Sequence, residues 1–150
     1  MIVVEFFSMN QPTEILEQIK DADWSGAKSL SRLLEEGSFH DRLGENARLL
    51  LLMEDEELAA FCTFADHDDV PDTNLAPWIG YVYTSEKFRG KRCAGQLIEA
   101  AERMAREDND EYVYISTGHR GLYEKYGYDL FTTLKNKHGQ DSGIYRKKIK

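Results

Sequence analysis

FRGKRCAGQLIEAA, Phe88–Ala101, places Arg89, Lys91 and Arg92 in close succession and then runs directly into helical spacing. Ala94, Leu97, Ile98, Ala101, Met104 and Ala105 keep a 3.6-residue period, with Glu99, Glu102, Arg103 and Arg106 on the opposite side. The stretch before it, WIGYVYTS from Trp78, is rich in aromatic and β-branched residues and reads as a strand. A strand, a tight glycine-containing turn and a helix N-terminus bring several unpaired backbone N–H groups to one point, where the helix dipole also favours negative charge. With three cationic side chains around it, that point is an anion site. A nucleotide P-loop needs Gly-Lys-Ser/Thr at the end of its six-residue interval, and Gly95 is followed by Gln96 and Leu97. A dinucleotide fingerprint needs a middle glycine where Arg92 stands. Both are excluded.

Outward from this stretch the chain alternates helical and strand patterns. IVVEFF opens as a strand. NQPTEILEQIKDADW predicts a helix with Asn10 as cap, Pro12 in the first turn and Ile15, Leu16 and Ile19 on one face. SGAKSLSRLLEEGS predicts another, with Ser25 as cap and Gly37 as stop. The apolar runs Ala47–Met53 and Leu58–Ala65, split by EDEE, predict a hairpin, and the polar segment Asp66–Pro77 is long for a strand connection. Beyond the long helix, YVYIST reads as a strand, GLYEKYG as a short helix closed by Gly127, and YDLFTTL and GIYRKKI as strands. The order predicts an α+β class, a mixed sheet with helices packed on its faces.

Composition narrows the function classes. The chain has 150 residues, 41% of them hydrophobic, enough for one core, and a single domain over 1–150 is expected. Its 27 acidic against 19 basic residues repel a phosphate polymer and argue against general nucleic-acid binding. Cys62 and Cys93 form neither a disulfide framework nor a metal-ligand cluster, which fits a reducing cytoplasm. The apolar Met1–Phe7 lacks a basic n-region and a cleavage site, and no apolar run reaches the length of a membrane span, so a cytoplasmic protein is expected.

Arg89-Gly90-Lys91-Arg92-Cys93-Ala94 resembles the [RQ]-x-x-G-x-[GA] pattern of the GNAT acetyltransferase superfamily, whose loop wraps the pyrophosphate of acetyl-coenzyme A. Arg92 stands where that family usually has glycine, so its side chain must either point away from the diphosphate or clamp it. Leu122-Tyr123-Glu124-Lys125-Tyr126-Gly127-Tyr128 is similar to the family's short helix, in the expected order after one intervening strand. The resemblance spans nearly the whole chain. It implies a central, mostly antiparallel sheet of six to seven strands with about four helices. It further implies acetyl transfer from acetyl-coenzyme A to a primary amine, by direct attack in a ternary complex, without a metal.

The resemblance assigns residues to roles. The fourth strand splays from the fifth, so Val82, Tyr83 and Thr84 would pair with the amides of the pantetheine arm as an added strand would. Arg89, Gly90, Lys91, Arg92, Cys93, Ala94, Gly95 and Gln96 would hold the phosphates, and Ser116 and Tyr123 would complete the coenzyme contacts. Tyr123 would also be the acid toward the departing thiolate, since a phenol is protonated at neutral pH. Tyr126 or Tyr128 is read as the packing residue. The fourth strand carries no acid, leaving several candidates for the base: His119, or one of Asp66, His67, Asp68, Asp69 and Asp72, or none if the amine arrives neutral. The acidic run lacks the spacing of a calcium loop. Acids on the acceptor side, with Trp78 and Tyr81 nearby, suit a small cationic amine. The alternatives are a protein amine as acceptor, or a module that binds acetyl-coenzyme A without catalysis. The terminal GIYRKKIK could dimerise or simply close the sheet.

Overall fold

A computed structural model describes residues 1–10 and 12–150. In chain order the elements are β1 (Ile2–Glu5), α1 (Thr13–Asp21), α2 (Ser25–Glu35), α3 (Phe39–Leu43), β2 (Arg48–Glu54), β3 (Glu57–Ala65), β4 (Trp78–Thr84), α4 (Cys93–Glu107), β5 (Tyr112–Thr117), β6 (Asp129–Lys135) and β7 (Asp141–Lys148). The strands form one seven-stranded sheet in the order β1-β2-β3-β4-β5-β7-β6. All neighbours are antiparallel except β4 and β5. The expected mixed, mostly antiparallel sheet with four helices is therefore present.

Strand alternation sends the two faces of the sheet to different cores. Leu50, Leu52, Ala60, Cys62, Phe64 and Ile79 face α4. Leu49, Leu51, Phe61 and Ala65 face α1, α2 and α3. The anticipated stripe of α4 supplies Leu97, Ile98, Ala101 and Ala105, all buried.

Several expectations are corrected at element ends. The first strand stops at Glu5, because Phe6–Ser8 turns into a 3-10 helix whose Phe7 amide donates to the Glu5 carboxylate. Asn10 does not cap α1: Pro12 occupies the capping position, without a side-chain hydrogen bond. Ser25 is the first residue of α2, with Trp24 before it. The short helix expected in GLYEKYG is one 3-10 turn, Glu124–Tyr126, closed by Gly127 at φ 94°. Helix α3 is an addition to the sequence reading, too short to show a period. Strand β7 lies between β5 and β6, so both its edges are paired within the sheet and β6 is the edge strand.

The feature that positions the site lies in β4. Its register with β3 runs Phe61↔Tyr83 and then Thr63↔Gly80, so β4 holds one extra residue, a bulge in which Tyr81 takes φ 49°. With β5 it shares only the register pairs Trp78↔Tyr114 and Ile79↔Ile115. Beyond Ile79 the two strands diverge. The edge of β4 from Gly80 onward faces an opening.

Candidate active site

The turn leading into α4 has the form that an anion site requires. Gln96 is the first amide of the helix with a main-chain partner, the carbonyl of Arg92. Among the described residues, no protein acceptor meets the amides of Gly90, Lys91, Arg92, Cys93, Ala94 and Gly95. Arg92 adopts φ 60°, ψ 29°, the left-handed conformation, and Gly90 takes φ 80°. The backbone thus makes at Arg92 the turn that a glycine would make. Arg92 lines a cleft of about 490 Å³ between α4 and the Glu124–Tyr126 turn, together with Arg103, Arg106, Lys125 and Lys147. That concentration of cations stands out on a chain with a net charge of −8.

Arg89 does different work. Its Nε donates to the Thr84 carbonyl at 3.1 Å and its guanidinium lies 5.9 Å from the Tyr83 ring centroid, tying the turn back to β4. Of the three residues expected to offer backbone groups, Thr84 therefore has its carbonyl already engaged. Lys91 is exposed, its ammonium 5.5 Å from the Phe88 ring. Cys93 is buried, and burial raises its thiol above the ordinary range while Lys91 opposes the shift. Gly95 lets the Tyr126 ring approach: a Cβ there would sit 3.2 Å from it.

Tyr123 is 8% exposed and packs on the α4 side of the sheet with Cys62, Ile79, Val113 and Ile115. Burial, and then the neighbouring Cys62, Asp68 and Tyr126, raise its phenol to about 12. It stays protonated throughout the physiological range. Tyr128 is fully buried, as a packing residue should be, and its hydroxyl donates to Glu102 Oε2 at 2.9 Å. Lys147 meets the same carboxylate at 3.1 Å. Ser116 Oγ is 2.7 Å from Ser142 Oγ, so it is paired across to β7. His119 is exposed and anchored by its amide, which donates to Thr117 Oγ1.

The acidic run sorts into separate environments. Asp66 accepts from the Asn46 amide and packs on Gly44, a bracing role in the turn before β2. His67 and Asp72 are exposed. Asp68 and Asp69 reach inward, and the Asp68 carboxyl lies over Gly80, where a Cβ would collide with it. Part of the residue touches solvent, but the carboxyl end is enclosed.

On the other face of β4 from α4, Trp24 stacks on Tyr83 with ring centroids 5.6 Å apart and planes 6° from parallel. Phe61 and Tyr81 flank the pair. This aromatic floor adjoins a cleft of about 670 Å³ lined by Asp21, Asp23, Glu57, Phe61, Tyr83 and Glu86, among others. Trp78, expected to contact the acceptor, is 1% exposed and belongs to the core. Trp24, by contrast, is the tryptophan stacked on β4 at Tyr83. The lone glycine in WIGYVYT was the sequence sign of a close approach at position 80, and Trp24 left no comparable sign beyond standing just before Ser-Gly.

A family model described as "Acetyltransferase (GNAT) family" matches residues 13–128. The chain belongs to this family. Solved GNAT structures share the fold of the whole chain. An acetyltransferase of the GNAT family from Desulfovibrio desulfuricans is 15% identical, with 99% of each chain covered and a TM-score of 0.75. The aminoglycoside 6′-N-acetyltransferase from Enterococcus faecium is 18% identical, covering 100% of this chain and 98% of its own, with a TM-score of 0.69. A GNAT N-acetyltransferase from Escherichia coli, in complex with CoA, is 18% identical over 99% of this chain and 81% of its own, with a TM-score of 0.67. No curated protein matches the sequence.

Proposed function

We propose that this GNAT member transfers the acetyl group of acetyl-coenzyme A to a primary amine of a small cationic molecule. The opening between β4 and β5 carries the reading. It begins where their pairing ends at Ile79 and Ile115 and offers the unpaired edge of β4, with bare amides at the start of α4; in this reading Tyr123 would stand by the sulfur. An extended amide-bearing arm satisfies such an edge as a further strand would. The amides of Gly90–Gly95, with Lys91 and the Arg92 cleft behind them, suit its phosphates.

The chain's residues then divide the work. Backbone groups of Val82, on the edge away from β3, hold the arm in line, and Tyr123 directs its hydroxyl at the sulfur as the carbon–sulfur bond breaks. Because the phenol is raised to about 12, above the ordinary range of a thiol, full proton donation is uphill, and hydrogen bonding to the developing thiolate is its larger contribution. The amine enters from the opposite face, across the Trp24–Tyr83 floor. Asp21, Asp23 and Glu86 favour a cation there, Glu57 being paired with Lys87 of the same cleft, and stacked rings add cation–π attraction. The Enterococcus faecium relative is, by its name, an aminoglycoside acetyltransferase, and a polycationic amino sugar has the chemistry this cleft would select.

Purified protein given acetyl-coenzyme A and a panel of polyamines, amino sugars and lysine peptides should release free thiol fastest with the first two classes. Binding of coenzyme A without thiol release from any of them would reject catalysis. Trp24→Ala should raise KM for the amine about tenfold, the loss of roughly 1–1.5 kcal/mol of ring contact, while KM for acetyl-coenzyme A holds. Lys91→Glu should do the converse, raising KM for acetyl-coenzyme A about three- to tenfold, since reversal removes one favourable charge and adds a repulsion. An unchanged value would remove the phosphates from this turn.

A further inference from the structure

Strand β4 lacks an acid, yet a carboxyl is delivered to it from outside. Asp68 reaches from the loop after β3 and rests on Gly80, the first β4 residue beyond the last register pair with β5. Thr63, the register partner of Gly80, is 0% exposed, and its Oγ1 finds no hydrogen-bond partner among the described residues. A Cβ on Gly80 would lie 3.2 Å from that oxygen as well as against the Asp68 carboxyl. Buried hydroxyls are normally paired, so an orphan at this point marks a place built for a polar occupant. By alternation, Thr63 and Gly80 face the side of α1 to α3, where Phe61 and Ala65 pack, whereas Tyr123 packs on the side of α4. Asp68 and Tyr123 therefore belong to opposite faces of the sheet, and Asp68 is among the causes raising the Tyr123 phenol.

We propose that Asp68 is the general base of the reaction, taking a proton from the acceptor ammonium where β4 leaves β5 at Gly80. The assignment rests on the acetyl-transfer reading above. Asp68 accepts one proton from the ammonium, and the freed lone pair forms the carbon–nitrogen bond at the thioester carbonyl. Collapse of the adduct breaks the carbon–sulfur bond, and the second nitrogen proton reaches the sulfur through the Tyr123 hydroxyl and solvent. Asp68 then releases its proton to water, leaving the acetamide, free coenzyme A and one proton.

The surroundings suit the role. Burial first, and then the charge of the adjoining Asp69, raise the Asp68 carboxyl to about 7, opposed by the Asp69 amide and by Lys137. Asp69 Oδ1 is itself buried without a donor, so a proton shared between the two carboxyls satisfies both. Lys137, in the β6–β7 turn, has its amide on the Asp69 carbonyl at 2.7 Å. Tyr123 and Cys62, the titratable groups nearest from the α4 side, are both raised by burial and stay neutral at this pH. Because the folded value lies above the ordinary carboxyl range, Asp68 contributes stability that is complete below about pH 4 and lost as pH rises through about 7.

The test combines turnover with direct titration. In wild-type protein, kcat should rise with pH to a plateau above about 7, at the same position for amine acceptors of differing basicity. Asp68→Asn should lose that limb and lower kcat about 10²- to 10³-fold at pH 7, with coenzyme A affinity unchanged, and Asp68→Glu should restore part of the rate. The ¹³C signal of one wild-type carboxyl should titrate near 7 and vanish in Asp68→Asn. A folded Asp68→Asn with wild-type rate and limb, or a limb lost instead in His119→Ala, would overturn the assignment while leaving acetyl transfer intact. No wild-type carboxyl titrating above 6 would overturn it even if the variant failed to fold. Absence of thiol release by wild type with any amine would remove the underlying reading and the base together.

Discussion

Replacing Tyr123 by phenylalanine is expected to lower kcat about 10²-fold while coenzyme A binds with wild-type affinity. The ring fills its place among Cys62, Ile79, Val113 and Ile115, and phenylalanine keeps that packing. Only the hydroxyl is lost. Removing one preorganised donor from the point where charge develops costs about 10²–10³ in kcat, and a thiolate, as an intrinsically good leaving group, places the expectation at the low end. The pH profile gives a second reading. With the phenol raised to about 12, wild-type activity should show no fall from tyrosine ionisation as pH passes the usual tyrosine range near 10. Steady-state kinetics with calorimetric coenzyme binding checks both, and an unchanged kcat would remove Tyr123 from the chemistry.

The second large effect is on stability. Trp78→Ala is expected to destabilise the fold by about 3–5 kcal/mol, the usual range for deleting a fully buried large aromatic side chain. At roughly 2–4 °C of Tm per kcal/mol for a chain of this size, the midpoint should fall by about 10 °C. The position explains the severity. Trp78 is 1% exposed, packs with Val70, Tyr114 and Ile144, and its Nε1 donates to the Leu75 carbonyl at 2.6 Å. It also belongs to one of only two register pairs joining β4 to β5. Its indole fastens the β1–β4 half of the sheet to the β5–β7 half at the end where they still touch. Trp78→Phe should lose less than half as much. Urea unfolding would measure both, and a loss below about 1 kcal/mol for the alanine variant would mean the halves are held together elsewhere.

How far the sequence was legible depended on the range of the signals. The α4 helix, the β2–β3 hairpin and the order of the strands follow from local periodicity, which burial obeys except at Glu102, read on the polar side but buried against Tyr128 and Lys147. Helix α3, five residues long, is too short to carry a period. The cap of α1 was misplaced because asparagine and proline both signal helix starts, and the helix begins after the proline. Site residues divide in the same manner. Those in contiguous motifs, Arg89–Gln96 and Tyr123, could be located from neighbours in the chain. The Asp68–Gly80–Thr63 contact could not, because it joins a loop to two strands, and nothing local distinguishes Asp68 from Asp66, Asp69 or Asp72. The interior position of Trp78 is hidden for the same reason: whether a tryptophan is buried is a property of the sheet, not of its flanking residues.

Arg92 shows what the pyrophosphate-loop pattern encodes. The fourth position of that pattern is a demand on dihedral angles, and glycine is merely the residue that meets it most cheaply. Here a residue with a long cationic side chain takes the left-handed torsion that glycine adopts most readily, so a pattern search insisting on glycine would pass over this loop. Related chains with asparagine, lysine or arginine at this point are better judged by the torsions they can reach than by the letter they carry.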